Sequence, residues 1–101
     1  MAGKKSRDKG RRGEGEVRKI LGSQFKRTGV AYSDEADLTS DWSVVSVKNH
    51  TIPISLHKAL EEIIKLEGKA PDKNHYVAVK VGRGTYLIIE RIEQFRDDRA
   101  S

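Results

Sequence analysis

Two runs of strand-forming residues, Tyr76-Val77-Ala78-Val79-Lys80-Val81 and Thr85-Tyr86-Leu87-Ile88-Ile89, are separated only by Gly82-Arg83-Gly84. Branched and aromatic side chains suit a pleated surface, and glycine supplies the backbone freedom a tight turn needs. This hairpin constrains the fold most. Its apolar side must be covered, so the rest of the chain has to supply helices or further strands.

The chain supplies both. Val17, Ile20, Leu21 and Phe25 recur at helical spacing and predict an amphipathic helix over 11–22, weakened at its start by Gly13 and Gly15 and stopped at Gly22. Residues 26–36 read as an irregular or short extended link. Asp37-Leu38-Thr39 reads as a short strand, Ser40-Asp41 as a turn, and Trp42 to Lys48 as the returning strand. Pro53 ends that region. Ser55 is a suitable N-cap for a helix that buries Leu56, Ala59, Leu60, Ile63 and Ile64 and ends at Gly68. Lys58 with Glu62 and Glu61 with Lys65 are surface pairs one turn apart on that helix. A polar loop over 69–74 leads into the hairpin, and residues 90–99 suggest a short terminal helix with Ile92 and Phe95 turned inward. The expected architecture is α/β: a mixed sheet flanked by helices in the order α-β-β-α-β-β-(α).

A chain of 101 residues suits one domain. It has no cysteine, which excludes disulfides, thiolate zinc sites and thiol catalysis. No signal-peptide pattern and no membrane-length apolar run stand out, so an intracellular, cytoplasmic protein without a membrane partner is expected. The charge is unevenly placed. Lys4, Lys5, Arg7, Lys9, Arg11 and Arg12 face only Asp8 in residues 1–12, a net +5, while the other 14 basic and 14 acidic residues cancel. Residues 1–12 therefore read as a flexible basic arm on a single domain over 13–101. Such an arm is a natural contact for nucleic-acid phosphates, though a solubilising tail has the same composition.

With the turn at Ser40-Asp41, Thr39 faces Trp42 and Asp37 faces Val44, with Ser46 diagonal to it and Lys48 on the same face. Glu35 would then face Ser46. An acidic residue and a lysine on one strand face are most often a solvated pair. Phosphodiester hydrolysis uses the same types: oxygen ligands hold Mg²⁺ beside the phosphate, and an ammonium steadies developing charge.

In sequence, Lys9-Gly10-Arg11-Arg12-Gly13-Glu14, then Ala36-Asp37-Leu38, then Ser46-Val47-Lys48 resembles the PD-(D/E)xK nuclease superfamily, most closely its archaeal and phage Holliday junction resolvases. The likeness extends over most of the chain, including the order of helix, hairpin, helix and hairpin. It implies a restriction-endonuclease-like fold and Mg²⁺-dependent (or Mn²⁺-dependent) cleavage of four-way DNA junctions by a homodimer. It also implies roles: Glu14 and Asp37 as metal ligands, the Val47 carbonyl as a further ligand, Lys48 as the catalytic lysine, and the basic arm on the DNA. Glu16 competes with Glu14 for its place.

Two positions depart from the family pattern. Ala36 replaces a structural proline. Ser46 replaces the second carboxylate, and a neutral hydroxyl is a poor Mg²⁺ ligand. Glu35, Glu61 or Glu62 are the candidates to compensate. The expectation is impaired catalysis with DNA binding retained, the alternative being a non-catalytic, structure-selective DNA-binding module of the same fold. His50, His57 and His75 lack metal-ligand spacing and read as surface or phosphate-contacting residues, as do Asn49 and Arg83. Trp42 reads as a core or interface anchor.

Overall fold

The computed structural model describes the backbone of residues 2–27 and 37–100, and the side chains of 12–27 and 37–98. Its elements are α1 (Ala2–Leu21), β1 (Lys26–Arg27), β2 (Leu38–Thr39), β3 (Ser43–Lys48), α2 (Leu56–Lys69), β4 (Asn74–Gly82), β5 (Thr85–Ile89) and α3 (Ile92–Ala100). The five strands form one mixed sheet in the order β1-β2-β3-β4-β5. Only β3 and β4 run parallel, and α2 is the crossover between them. The expected α/β class and element order are present, with β1 added from the expected link. Val30, Ala31, Tyr32 and Glu35 lie outside the described residues.

Alternation along β3 and β4 divides the core between the two faces of the sheet. On one face Val45 and Ala78 pack with Val17 of α1 and Leu38 of β2, flanked by Leu21, Phe25, Val47, Tyr76 and Tyr86. On the other, Val44 meets Leu66, and Val77 and Val79 meet Ile63, with Ile54 and Ile89 beside them. Leu38 and Leu66 are fully buried, each worth about 1.5–3 kcal/mol relative to exposure.

Local chemistry fixes the ends of these elements. Gly22 closes α1 in the left-handed region (φ 112°), and its N–H donates to the Arg18 carbonyl at 2.9 Å. The Ser55 hydroxyl caps α2 by accepting from the Lys58 N–H at 3.1 Å. Gly84 (φ 70°) lets β4 reverse into β5.

Several expectations are corrected. The first helix starts at Ala2, so the backbone of the basic segment continues α1; the strong helix propensity of its Lys and Arg residues offsets the cost of Gly10 and Gly13. Gly68 lies inside α2, whose C-cap is Ala70. The buried residues of α2 are Ala59, Glu62, Ile63 and Leu66, while Leu56, Leu60 and Ile64 are exposed. Ile92 (77% exposed), Phe95 (49%) and Trp42 (78%) do not enter the core. His75 is buried, not superficial, with Nε2 at 2.6 Å from the Ala70 carbonyl and its backbone paired to the Gln94 amide.

Candidate functional site

The β2–β3 hairpin sets the site through its register. Leu38 pairs with Val45 and Thr39 with Val44. The Ser40 N–H donates to the Ser43 carbonyl at 2.8 Å, so the turn is Asp41-Trp42, not Ser40-Asp41. The Ser40 hydroxyl stabilises that turn by accepting from the N–H groups of Trp42 (3.4 Å) and Ser43 (3.1 Å). Lys73 braces it from the sheet end, donating to the Ser40 carbonyl at 2.7 Å and the Thr39 hydroxyl at 3.1 Å.

The pairing differs from the expected one by two residues. A slip of two keeps every side chain on its face, whereas a slip of one would have reversed them all. Continuing the register by one residue sets Asp37 opposite Ser46 rather than Val44. The Asp37 N–H donates to the Val45 carbonyl at 2.9 Å, and its Oδ2 accepts from the Val47 N–H at 2.6 Å. Val47, expected to offer its carbonyl to a metal, thus also holds Asp37 through its N–H. Ser46 is 1% exposed and, with Lys48, faces α2.

Glu62 enters this face from α2. It is buried, and its Oε1 lies 3.4 Å from Lys48 Nζ and 3.7 Å from Lys65 Nζ. The expected Lys58–Glu62 pair is replaced by Lys58–Glu61 at 3.3 Å on the solvent side, because Glu62 is turned inward. Two neighbours of position 46 on this face, Asp37 across the hairpin and Lys48 along the strand, interact with Glu62. Burial raises the Asp37 pKa above its ordinary value; the Val47 N–H and Lys48 pull it back, and the Glu62 charge raises it further. A half-buried carboxylate carrying a second carboxylate's repulsion is poised to accept a cation or a proton.

The other expected residues lie on α1. Glu14 lies next to the Gly13 that meets Asn49, with Oε2 3.8 Å from Arg27 Nε. Glu16 accepts from the Tyr86 hydroxyl at 3.2 Å and lies 3.6 Å from Lys80 Nζ. Burial, then the charge of Glu16 and its hydrogen bond, push the Tyr86 phenol up to about 12. Lys4, Lys5, Arg7, Lys9 and Arg11 have their backbone in α1 and side chains outside the described residues, while Arg12 is exposed.

Gly13, a weak helix former by sequence, is where α1 meets the end of β3. A Cβ there would lie 2.7 Å from the Asn49 Cβ, one residue beyond Lys48. The helix approaches the end of β3 this closely only because position 13 has no side chain.

Chemically, the site holds two carboxylates, an ammonium and a buried hydroxyl. Among the described residues no set of three His, Cys, Asp or Glu side chains converges as a metal centre. Two carboxylates are enough for Mg²⁺, which keeps several waters and takes one or two carboxylates plus substrate phosphate oxygens. The donor set therefore fits Mg²⁺ and not a structural zinc site. Among the described residues no helix is long and apolar enough to cross a membrane. No protein-family model, curated protein or solved structure matches this chain.

Proposed function

We propose that the chain is a Mg²⁺-dependent endonuclease of restriction-endonuclease-like fold, acting on branched DNA as a junction-resolving enzyme, with Glu62 in the role that Ser46 leaves open. The observation that carries this reading is Glu62 itself. It is a buried carboxylate on the helix after β3, coupled to both Asp37 and Lys48. A buried acid facing a second carboxylate and a lysine is the grouping of charges that cation-binding and hydrolytic sites use.

In this reading Asp37 and Glu62 hold the metal, which supplies an activated water and offsets charge on the phosphate. The Val47 N–H, 2.6 Å from Oδ2, fixes the Asp37 carboxylate in place. Lys48 is kept beside Glu62 and released toward the phosphate as substrate binds, where its ammonium balances the charge of the attacked group. Glu14 is a further candidate ligand from α1, and Lys4, Lys5, Arg7, Lys9, Arg11 and Arg12 contact phosphates along the DNA. A homodimer would place two such sites for paired cuts.

The second reading is a non-catalytic DNA-binding module, favoured by the neutral Ser46 and by Lys48 already being neutralised by Glu62. Incubation with a four-way junction and with linear duplex, each with Mg²⁺ or EDTA, separates the two. Metal-dependent nicking of the junction supports the enzyme. Junction binding without nicking supports the module, and cutting of both DNAs alike removes the junction-resolving assignment.

A further inference from the structure

We infer that a cleft at the carboxyl end of β3 and β4 is a phosphate subsite for a nucleic-acid strand leaving the Asp37–Lys48–Glu62 site; the choice of nucleic acid as its source rests on the nuclease reading. The cleft has a volume of about 260 Å³ and is lined by Asn49, His50, Thr51, Lys80, Gly82 and Arg83, with two apolar residues beside them. Its lining includes the exposed Arg83 guanidinium, Lys80, whose ammonium is shared with Glu16 at 3.6 Å, and three side chains able to donate hydrogen bonds. That is the chemistry of an anion site. The volume falls just below the roughly 300–1,000 Å³ of pockets that enclose a whole small molecule. It suits one phosphodiester with part of its sugar.

The position ties the cleft to the candidate site. Asn49 directly follows Lys48 at the same strand end, and it meets Gly13 of α1 while Lys48 meets Glu62 of α2 on the other face. A strand with one phosphate at Lys48 can continue over the end of the sheet into the cleft. In parallel pairs joined by a helix, the carboxyl ends of the strands are where ligands collect.

The walls are built and not incidental. Gly13 lets α1 press on Asn49 and fixes one side. Glu16, 3.6 Å from Lys80 Nζ, holds that ammonium, which also lies 5.9 Å from the centre of the Tyr86 ring. A register irregularity between Lys80 and Gly82, followed by the left-handed Gly84, shapes the hairpin tip that carries Arg83. Lysine and arginine thus reach the cleft from one hairpin, and Asn49, His50 and Thr51 from the loop after β3.

The test uses the full chain carrying Asp37→Asn, so that binding is read without cutting. Labelled junction and single-stranded DNA are titrated across a salt series with this protein and with the same protein carrying Arg83→Ala, His50→Ala or both. These two side chains are exposed, so the variants fold. The expected result is a roughly three- to tenfold weaker affinity for each single variant, with the salt slope for Arg83→Ala reduced by about one. Amide resonances of Asn49, Thr51 and Gly82 should move with a short oligonucleotide at concentrations where inorganic phosphate leaves them in place. Unchanged affinity and slope in the double variant would overturn the subsite. Equal shifts with inorganic phosphate would overturn its assignment to nucleic acid. Loss of cutting in the parent chain with these binding effects intact would count against the nuclease reading alone.

Discussion

Glu62 Oε1 lies 3.4 Å from Lys48 Nζ, so a buried acid from α2 meets the lysine that ends β3 on the same face as Asp37 and Ser46. Ser46 puts a neutral hydroxyl on that face, and the following helix brings a carboxylate to it. That single relationship makes Ser46 compatible with a two-carboxylate site.

Asp37 is expected to cost stability when ionised. Its folded pKa is raised above the ordinary 3.8, chiefly by burial. The native state therefore binds more protons than the unfolded chain, and stability must fall as pH rises from 3.8 through the higher folded value. Asp37→Asn keeps an acceptor for the Val47 N–H and removes the charge. In EDTA it should stabilise the protein by about 0.5–2 kcal/mol at neutral pH and flatten the pH dependence. Urea unfolding between pH 3 and 7 checks both effects, and an unchanged pH profile would contradict the assignment.

Ser46→Glu, which would complete the resemblance to the nuclease motif, is expected to harm this chain. Position 46 is 1% exposed, and its two charged neighbours on the α2 face, Asp37 and Lys48, already interact with Glu62. A third carboxylate there should cost about 1–3 kcal/mol by overpacking and repulsion, with partial recovery in Mg²⁺. Thermal unfolding with and without Mg²⁺ reads this directly; a variant as stable as the parent in EDTA would show that the face has room to spare.

Gly13→Ala tests the junction of α1 with β3. The new Cβ would stand 2.7 Å from the Asn49 Cβ, which is anchored to backbone and cannot swing away. A loss of about 1–3 kcal/mol is expected, largely relieved in the double variant with Asn49→Gly. Additive losses in the double variant would mean that the strain lies elsewhere.

Tyr86 should remain a phenol to about pH 12. In ultraviolet titration, Glu16→Gln should bring its ionisation down toward the ordinary range, because the charge of Glu16 and its acceptance of the phenolic proton oppose ionisation. A Tyr86 titration unaffected by that substitution would remove Glu16 from the cluster that also holds Lys80.

The parts of the fold written in local chemistry were legible in the sequence. The Gly-rich turn before Thr85, the stop at Gly22 and the cap at Ser55 each act within a few residues, and each stands where its residue type demands. Register was less legible. Ser40-Asp41 and Asp41-Trp42 are both acceptable two-residue turns, and Ser40 decided between them by bonding the Trp42 and Ser43 N–H groups. On α2, apolar residues at 56, 59, 60, 63 and 64 cover too much of the helix to show which edge is buried. The sheet selected the side with Ala59, Ile63 and Leu66, and Glu62 came inward with it. Glu62 stood among the candidates to compensate for Ser46 but also looked like half of a surface pair with Lys58. Only the packing of α2 against β3 distinguishes those roles. Asn49 against Gly13 is a contact between distant segments and leaves no local signal.

The most direct test of the central claim is single-turnover cleavage of a four-way DNA junction in Mg²⁺ by the parent chain, Glu62→Gln and Glu14→Gln. If Glu62 fills the place of the missing carboxylate, the parent nicks the junction and Glu62→Gln lowers the rate by about 10²-fold or more, with junction affinity kept. Glu14→Gln should cost less. A Glu62→Gln protein that cuts as fast as the parent would contradict the account.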